Sequence, residues 1–348
     1  MAERTLVRTS SPETGVRRSG AFPTPAARRR YVRLLVALGA VSVLTVVGIL
    51  AWDNPMPFGT AGFWRIAELR ATTVVIIVLV AFCQALATVA FQTVTTNRII
   101  TPSIMGFESL YRVIQTAAVF FLGIAGATVV QGTAQFVAQV VLMVGFAAVL
   151  YGWLLSGRYA NLQLMLLIGI ILGGALGALA SFLQRMLTPA EFDVLTARLI
   201  GSIANADASY LAISIPLAAA AGGTLWLRAR RLDVLGLGRD AAVNLGLRHR
   251  RETILVLLLV SVLMAVSTSL IGPMTFFGFL VAMASYQLAD THDHRLLFPM
   301  AWLSGIAVLA GAYFVLKHVF YAAGAVGIII EIVGGTVFLV HVLRKGRL

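Results

Sequence analysis

Along most of this chain, apolar residues run almost unbroken for about 15 to 25 positions, and polar residues gather in the short intervals between. Such runs fall at about 31–51, 70–91, 103–124, 132–155, 162–186, 209–227, 253–271, 276–290, 297–315 and 322–343. A helix rising 1.5 Å per residue needs about 20 residues to cross a hydrocarbon core about 30 Å thick. Lipid offers no partner to a backbone N–H or C=O, so runs of this length predict helices. The expected fold class is all-α: a polytopic transmembrane helical bundle of about ten spans. Residues 1–30 differ. They are rich in Arg, Ser, Thr and Pro without periodicity, and are expected to form a disordered basic tail ahead of a membrane domain over 31–348.

The longest polar interval after the first run, residues 228–251, divides the runs into two groups. It is too basic for lipid, yet Leu235, Leu237, Ala241, Ala242, Leu245 and Leu247 give it a small apolar surface. That pattern predicts a short amphipathic helix between two spans, on the positive side of the membrane. Charge placement supports this. Of the 27 Lys and Arg residues, 21 lie in 1–33, 228–251 and 344–347 or at Arg98, Arg158 and Arg295, the segments that alternate spans put on one side. The positive-inside rule then places both termini and the basic stretch in the cytoplasm. The other six are Arg65, Arg70, Arg112, Arg185, Arg198 and Lys317. Arg29-Arg30 before the first run resembles a twin-arginine signal, but no small-x-small site follows, so an uncleaved span is expected.

Composition fixes the solvent. Charged residues are 12% and mean hydropathy is +0.91, whereas soluble domains carry about 25% charge. The net charge of +13 sits at span ends, which argues for membrane topology and against nucleic acid as a partner. Cys83 is the only cysteine, so neither an intrachain disulfide nor a thiolate metal site can form. A phosphate-binding loop needs Gly-Lys-Ser/Thr, and neither Lys317 nor Lys345 has that setting, so this chain binds no ATP by that route. His292 and His294, near Asp290 and Asp293, leave a metal cluster or a solvated turn open. No Ser/His/Asp set stands out, and no cofactor or resident metal is expected. Gly169, Gly173 and Gly177, spaced as GxxxG with Gly174 beside them, predict close helix approach.

Against these absences, three stretches resemble one family. Gln92-Thr-Val-Thr-Thr-Asn97-Arg98-Ile-Ile-Thr101-Pro102-Ser103-Ile-Met-Gly106 is similar to the Gln…Arg-Asn-Pro-Leu-Ala-x-Pro…Gly segment of type II ABC importer permeases, which serve ferric siderophores, haem and cobalamin. Leu237-Gly238-Arg-Asp-Ala-Ala242-Val-Asn-Leu245-Gly246 fits that family's cytoplasmic LGxxxAxxLG signature. Gly272-Pro273-Met-Thr-Phe276-Phe277-Gly278-Phe279-Leu280, with Asp293-His294-Arg295 after it, resembles GPIGFVGL and the loop ending in His-Arg. The last run, Val326-Gly327-Ile328…Gly334-Gly335, is similar to the family's last span. The departures are Asn97-Arg98-Ile99-Ile100 for Asn-Pro-Leu-Ala, Ala282-Met283 for Pro-His, and Ala323-Gly324-Ala325 for Glu-Leu-Pro. Thr96-Asn97-Arg98-Ile99-Ile100-Thr101-Pro102-Ser103, Thr275-Phe276-Phe277-Gly278 and Glu331 resemble the branch handling catecholate-type siderophores.

The resemblance implies a permease subunit of an ATP-binding-cassette importer that takes up ferric siderophore by alternating access at a permease dimer interface, in the bacterial inner membrane. The implied partners are a second, related but different permease chain, a dimer of ABC ATPases that use the ATP, an extracytoplasmic siderophore-binding protein, and the bilayer. Leu237, Gly238, Ala242, Leu245 and Gly246 would form the coupling helix over 237–246. Its apolar residues would dock the ATPase, its glycines would permit turns, and its flanking arginines would pair with acidic ATPase residues or lipid phosphates.

Pro102 and Pro273 break helices at membrane depth. Asn97, Thr101, Pro102, Ser103, Gly106, Gly272, Pro273, Phe276 and Glu331 are therefore expected along the translocation path, with a plain tight turn as the alternative. Glu108 and Arg112, spaced i,i+4, can neutralise each other or polarise the path. Arg65, Arg70, Arg185 and Arg198 are expected to dock the binding protein or to snorkel to the interface, as is Lys317. A second class stays open: an ion-gradient-driven secondary transporter using Glu331, or Glu108 with Arg112, as a proton relay.

Overall fold

The computed structural model describes residues 20–129, 132–156, 162–200, 203, 206–321 and 326–345. Residues 1–19 of the expected tail, Arg158, the departure at 323–325 and Arg347 lie outside them. The helices, in order, are α1 (Pro25–Ala51), α2 (Ala61–Val94), α3 (Phe107–Val129), α4 (Thr133–Ser156), α5 (Leu162–Arg185), α6 (Pro189–Leu199), α7 (Leu211–Leu227), α8 (Ala229–Leu235), α9 (Arg239–Asn244), α10 (His249–Ile271), α11 (Phe277–Ala289), α12 (His294–His318) and α13 (Val326–Lys345). Single tight turns at Pro102–Met105 and Ala208–Tyr210 precede α3 and α7.

Each predicted run carries a helix, although not every helix spans. Among the described residues, eight are long and apolar enough to cross a membrane, while Phe277–Ala289 and Val326–Val340 are shorter apolar helices. Boundaries also move. α1 begins at Pro25, inside the stretch read as tail, because Thr24 accepts from the Ala27 N–H (3.1 Å) and Pro25 presets φ in the first turn. α2 begins at Ala61, well before the predicted residue 70, because the Thr60 hydroxyl accepts from the Phe63 N–H (3.3 Å). Its 34 residues make about 51 Å of helix, so its first turns project past a 30 Å core.

α2 and α10 form the centre. Buried residues make up 78% and 67% of their apolar windows, against 11% for α1, which lies on the rim. α2 packs on α10 and α12, α10 packs on α4 and α7, α12 on α1 and α11, and α3 on α5 and α6. Such centrality follows from residue type. From Ile76 to Val94, α2 is almost wholly buried and supplies Ala81, Ala85, Ala87 and Ala90, which let neighbours approach on all sides.

The charged ends sort as the charge pattern requires. At one end, the Tyr31 hydroxyl donates to the Leu296 carbonyl (2.9 Å), and Arg98 lies over the Tyr286 ring at 4.6 Å, close to α8 and α9. At the opposite end, Arg70 donates to the carbonyls of Ile49, Trp52 and Asp53 (3.2, 2.7 and 3.0 Å). Arg70 thereby satisfies carbonyl groups where α1 ends.

Candidate functional site

The basic stretch folds as two short helices joined by glycines. α8 turns its Ala229, Leu232 and Leu235 inward, then Gly236, Leu237 and Gly238 lead into α9. Gly238 (φ 95°) and Gly246 (φ 83°) bracket α9 in left-handed backbone that an L side chain adopts only with strain. Leu237, Val243 and Leu245 point outward at 65%, 53% and 62% exposure. Ala242 does not: it is fully buried, so it anchors α9 on the bundle and offers no docking surface. Three apolar side chains thus stand on a segment whose ends are set by positive-φ glycines.

The flanking arginines divide into two sets. Glu252, in the first turn of α10, accepts from Arg228 at 2.6 Å and from Arg231, tying α8 to α10. Arg239, Arg248, Arg250 and Arg251 form no ion pair among the described residues. They line a cavity of about 990 Å³ between α9 and the ends of α2, α4 and α5. His294 is likewise committed, to Asp233 and Thr93, and no group of three or more His, Cys, Asp or Glu among the described residues could hold a metal ion.

The two helix breaks meet. The first runs from Thr95 to Gly106 and includes the buried Pro102–Met105 turn. The second is Gly272–Phe276, between α10 and α11, where Gly272 (φ 84°) turns the chain and Pro273 has no N–H to leave unpaired. Glu108, on the first turn of α3, reaches across. One carboxylate oxygen accepts from the Met274 N–H (3.2 Å), and the other from the Thr275 hydroxyl (2.6 Å). Glu331 of α13 lies 3.3 Å from that same hydroxyl. The predicted ion pair with Arg112 is not made: no Glu108–Arg112 contact falls within 4 Å, and Arg112 is exposed. A broken strand of backbone next to the i,i+4 site offers Glu108 donors that are already buried, and those win.

Small residues hold the first break against α5. Gly106 (φ 95°) lies so near Gly173 that a Cβ on either would stand 3.1–3.2 Å from the other's Cα. Gly169 packs on Met105, and Gly177 faces Ser109. The GxxxG face therefore seats the break.

The other predicted residues fall as follows. The Asn97 side chain accepts from the Ile99 N–H (2.9 Å) and shapes the turn after α2. Thr101 is buried, and its hydroxyl finds no partner among the described residues. Ser103 lies within hydrogen-bonding reach of Glu108. Phe276 packs on Gly334 and on the ring of Phe338, so it is wedged against α13. Arg198, on α6, shares a cavity of about 540 Å³ with Tyr111, Gln115, Ser269 and Gly272, joining a predicted docking residue to a predicted path residue. Arg65 and Arg185 are exposed at helix ends, whereas Arg70 is spent on the α1 carbonyls. Sequence reasoning missed α6, yet Thr188-Pro189-Ala190-Glu191 carries its signal: a capping box with proline in the first turn. Nothing in the sequence singled out Thr275 as a partner of Glu108, or the pairing of His294 with Asp233.

Long apolar helices with broken backbone before α3 and α11, and a basic segment at one end, define a multi-pass membrane protein. The chain belongs to the FecCD transport family, whose model matches residues 32–344. It is 46% identical to the petrobactin import system permease protein FatC of Bacillus anthracis over 97% of this chain and 96% of that one. It is 33% identical to the petrobactin import system permease protein YclO of Bacillus subtilis, over 91% and 98% of the two chains. Among solved structures, a chain of an ABC transporter described as of metal-chelate type, in an inward-facing conformation, superposes with a TM-score of 0.75. That chain is 24% identical, and the match covers 90% of this chain and 99% of that one, a likeness of fold.

Proposed function

We propose that this chain is the permease subunit of an ATP-driven importer in the cytoplasmic membrane that takes up an iron–siderophore chelate of the petrobactin type. The observation that carries the reading is the 237–246 segment, which presents Val243 and Leu245 outward between two left-handed glycines and Leu237 just ahead of the first. An exposed apolar cluster on a short segment is a docking knob, and Arg239, Arg248, Arg250 and Arg251, which form no ion pair among the described residues, suit an acidic partner. A separate ATPase dimer grips it from the cytoplasm and supplies the energy that this chain has no loop to harvest.

A second, related permease chain completes the path, and an extracytoplasmic binding protein delivers the chelate. Arg65, Arg185 and Arg198, at the end away from the basic segment, are the candidate contacts for that protein. The junction of the two breaks, with Glu108, Thr275 and Glu331, lies beside the path that opens alternately to each side. The match to two petrobactin permeases supports the choice of chelate.

The test is uptake of radiolabelled iron–petrobactin into proteoliposomes holding this chain, its partner permease, the ATPase and the binding protein. Uptake is expected only with ATP inside the ATPase-bearing compartment. Uptake that persists without the ATPase and collapses with a protonophore would establish the secondary transporter, with Glu108 and Glu331 as its relay.

A further inference from the structure

We propose that His294 is a positioning residue that binds the docking segment to the ends of two core helices, so that movement of the segment reaches the bundle in register. The inference rests on the permease reading above. One buried ring, at 4% exposure, joins three helices. Its Nδ1 lies 2.5 Å from Asp233 Oδ1 on α8, and the same oxygen accepts from the His294 backbone N–H at 3.0 Å. Its Nε2 lies 2.7 Å from Thr93 Oγ1, in the last turn of α2. The Thr93 hydroxyl is also 2.8 Å from the Val89 carbonyl, an acceptor only, so its hydrogen goes there and a lone pair faces the ring. His294 itself opens α12, and its ring stands against Phe298.

The position gives this contact its leverage. Asp233 sits two residues before the end of α8, and Gly236–Gly238 leads from there straight into α9. α8 touches the bundle otherwise through Ala229, Leu232 and Leu235, which are apolar. Apolar contact is non-directional and lets a helix slide or roll, whereas two hydrogen bonds at fixed angles do not. The other polar tie, Arg228 and Arg231 to Glu252, leads to α10, and its Arg231 arm stands open to water with half of that side chain exposed. Solvent screens such a pair. The Asp233–His294 contact sets two hydrogen bonds from one residue on a single carboxylate oxygen, and it leads to α2 and α12, which pack on each other in the core. A cavity of about 350 Å³ lined by Gln92, Arg98, Tyr286 and Leu297 adjoins it, so the ring can be replaced without forcing the helices apart.

Thr93→Val cuts the link to α2 and keeps the volume, while Thr93→Ser keeps the hydroxyl. His294→Asn keeps a group that can reach Asp233 and loses the reach to Thr93. In the assembled complex with its ATPase, hydrogen exchange is followed with and without a non-hydrolysable ATP analogue. The wild type and Thr93→Ser are expected to change protection at both 237–246 and the helix ends 90–98 and 290–298. In Thr93→Val and His294→Asn the change at 237–246 remains, while that at the helix ends falls about fivefold or more, and iron–petrobactin transported per ATP falls with it. A merely structural role would lower the yield of complex and leave both ratios as in the wild type. Wild-type transmission in Thr93→Val and His294→Asn overturns the proposal. A wild type that shows no nucleotide response at 237–246 overturns the docking reading instead.

Discussion

Adding one methyl group at Gly106 tests whether the first break is held by backbone contact. Gly106 has φ 95° and ψ 0°, and an alanine there pays about 1–2 kcal/mol for left-handed backbone. Its Cβ would lie 3.2 Å from Gly173 Cα and 3.4 Å from Gly173 N. Those are backbone atoms of a membrane helix and cannot rotate away, so α5 must shift by a few tenths of an ångström. Overpacking of this kind costs about 1–3 kcal/mol, giving about 2–5 kcal/mol in all. Gly173→Ala meets the same contact at 3.1 Å but sits inside α5, where alanine is favoured by about 1 kcal/mol, so its net cost is smaller. Gly174→Ala is the control: its Cβ meets nothing within 4 Å. Thermal melting of the detergent-purified protein reads the order, at about 2–4 °C per kcal/mol. Gly106→Ala should melt at least about 4 °C below the wild type, Gly173→Ala between, and Gly174→Ala at or slightly above it. If Gly106→Ala and Gly174→Ala melt together, the close approach of Gly106 to Gly173 does not hold the break.

Leu237→Asp and Leu245→Asp should leave the fold intact, since both side chains face outward, yet cut ATPase co-purification about tenfold or more by setting a carboxylate in an apolar contact. Ala242→Asp should instead lose folded protein, because that methyl is buried; equal co-purification in all three would remove 237–246 as the docking site. At the opposite end, the Thr188 N–H and hydroxyl hold the Glu191 carboxyl below its usual range, each at 2.9 Å. A depressed carboxyl stabilises the start of α6 above its ordinary pKa and loses that contribution as pH falls through the lowered value. Hydrogen exchange over 189–193, corrected for intrinsic rate, should lose protection in that acidic window, while Glu191→Gln should show no such step. A wild-type profile without the step refutes the capping argument.

The parts of the fold that were legible in the sequence are those that lipid dictates locally. A run of about 20 apolar residues has few alternatives to a helix, and the basic interval at 228–251 could lie only outside the membrane. Gly238 and Gly246 were readable as turns because glycine has little other reason to bracket seven residues so tightly. What was not legible depends on which ends meet. The i,i+4 rule offered Arg112 to Glu108, but Met274 and Thr275, more than 160 residues away, supply closer donors. Ala242 counts as apolar in any pattern, and only the packed structure shows that it faces inward whereas Leu245 does not. Arg70 reads as an outer charge until α1 is seen to end within its reach.

Arg70, Asn97 and Glu108 do one kind of work, which bears on what can move. Each sits where a helix stops and satisfies backbone that the stop leaves open: Arg70 at the end of α1, Asn97 after α2, Glu108 across the break before α11. A helix end held this way is fixed in register, since losing the partner strands a buried N–H or C=O at about 1–3 kcal/mol. Glu331 is the exception. Thr275 has one hydroxyl hydrogen, and at 2.6 Å Glu108 takes it, leaving Glu331 at 3.3 Å without that donor. α13 therefore rests on the second break mainly through Gly334 and Gly335 against Phe276, and through Phe338 against Phe276 and Phe279. Contacts of that kind allow sliding. A shift of α13 would strand none of these backbone groups, and it would bring Glu331 into or out of reach of Thr275.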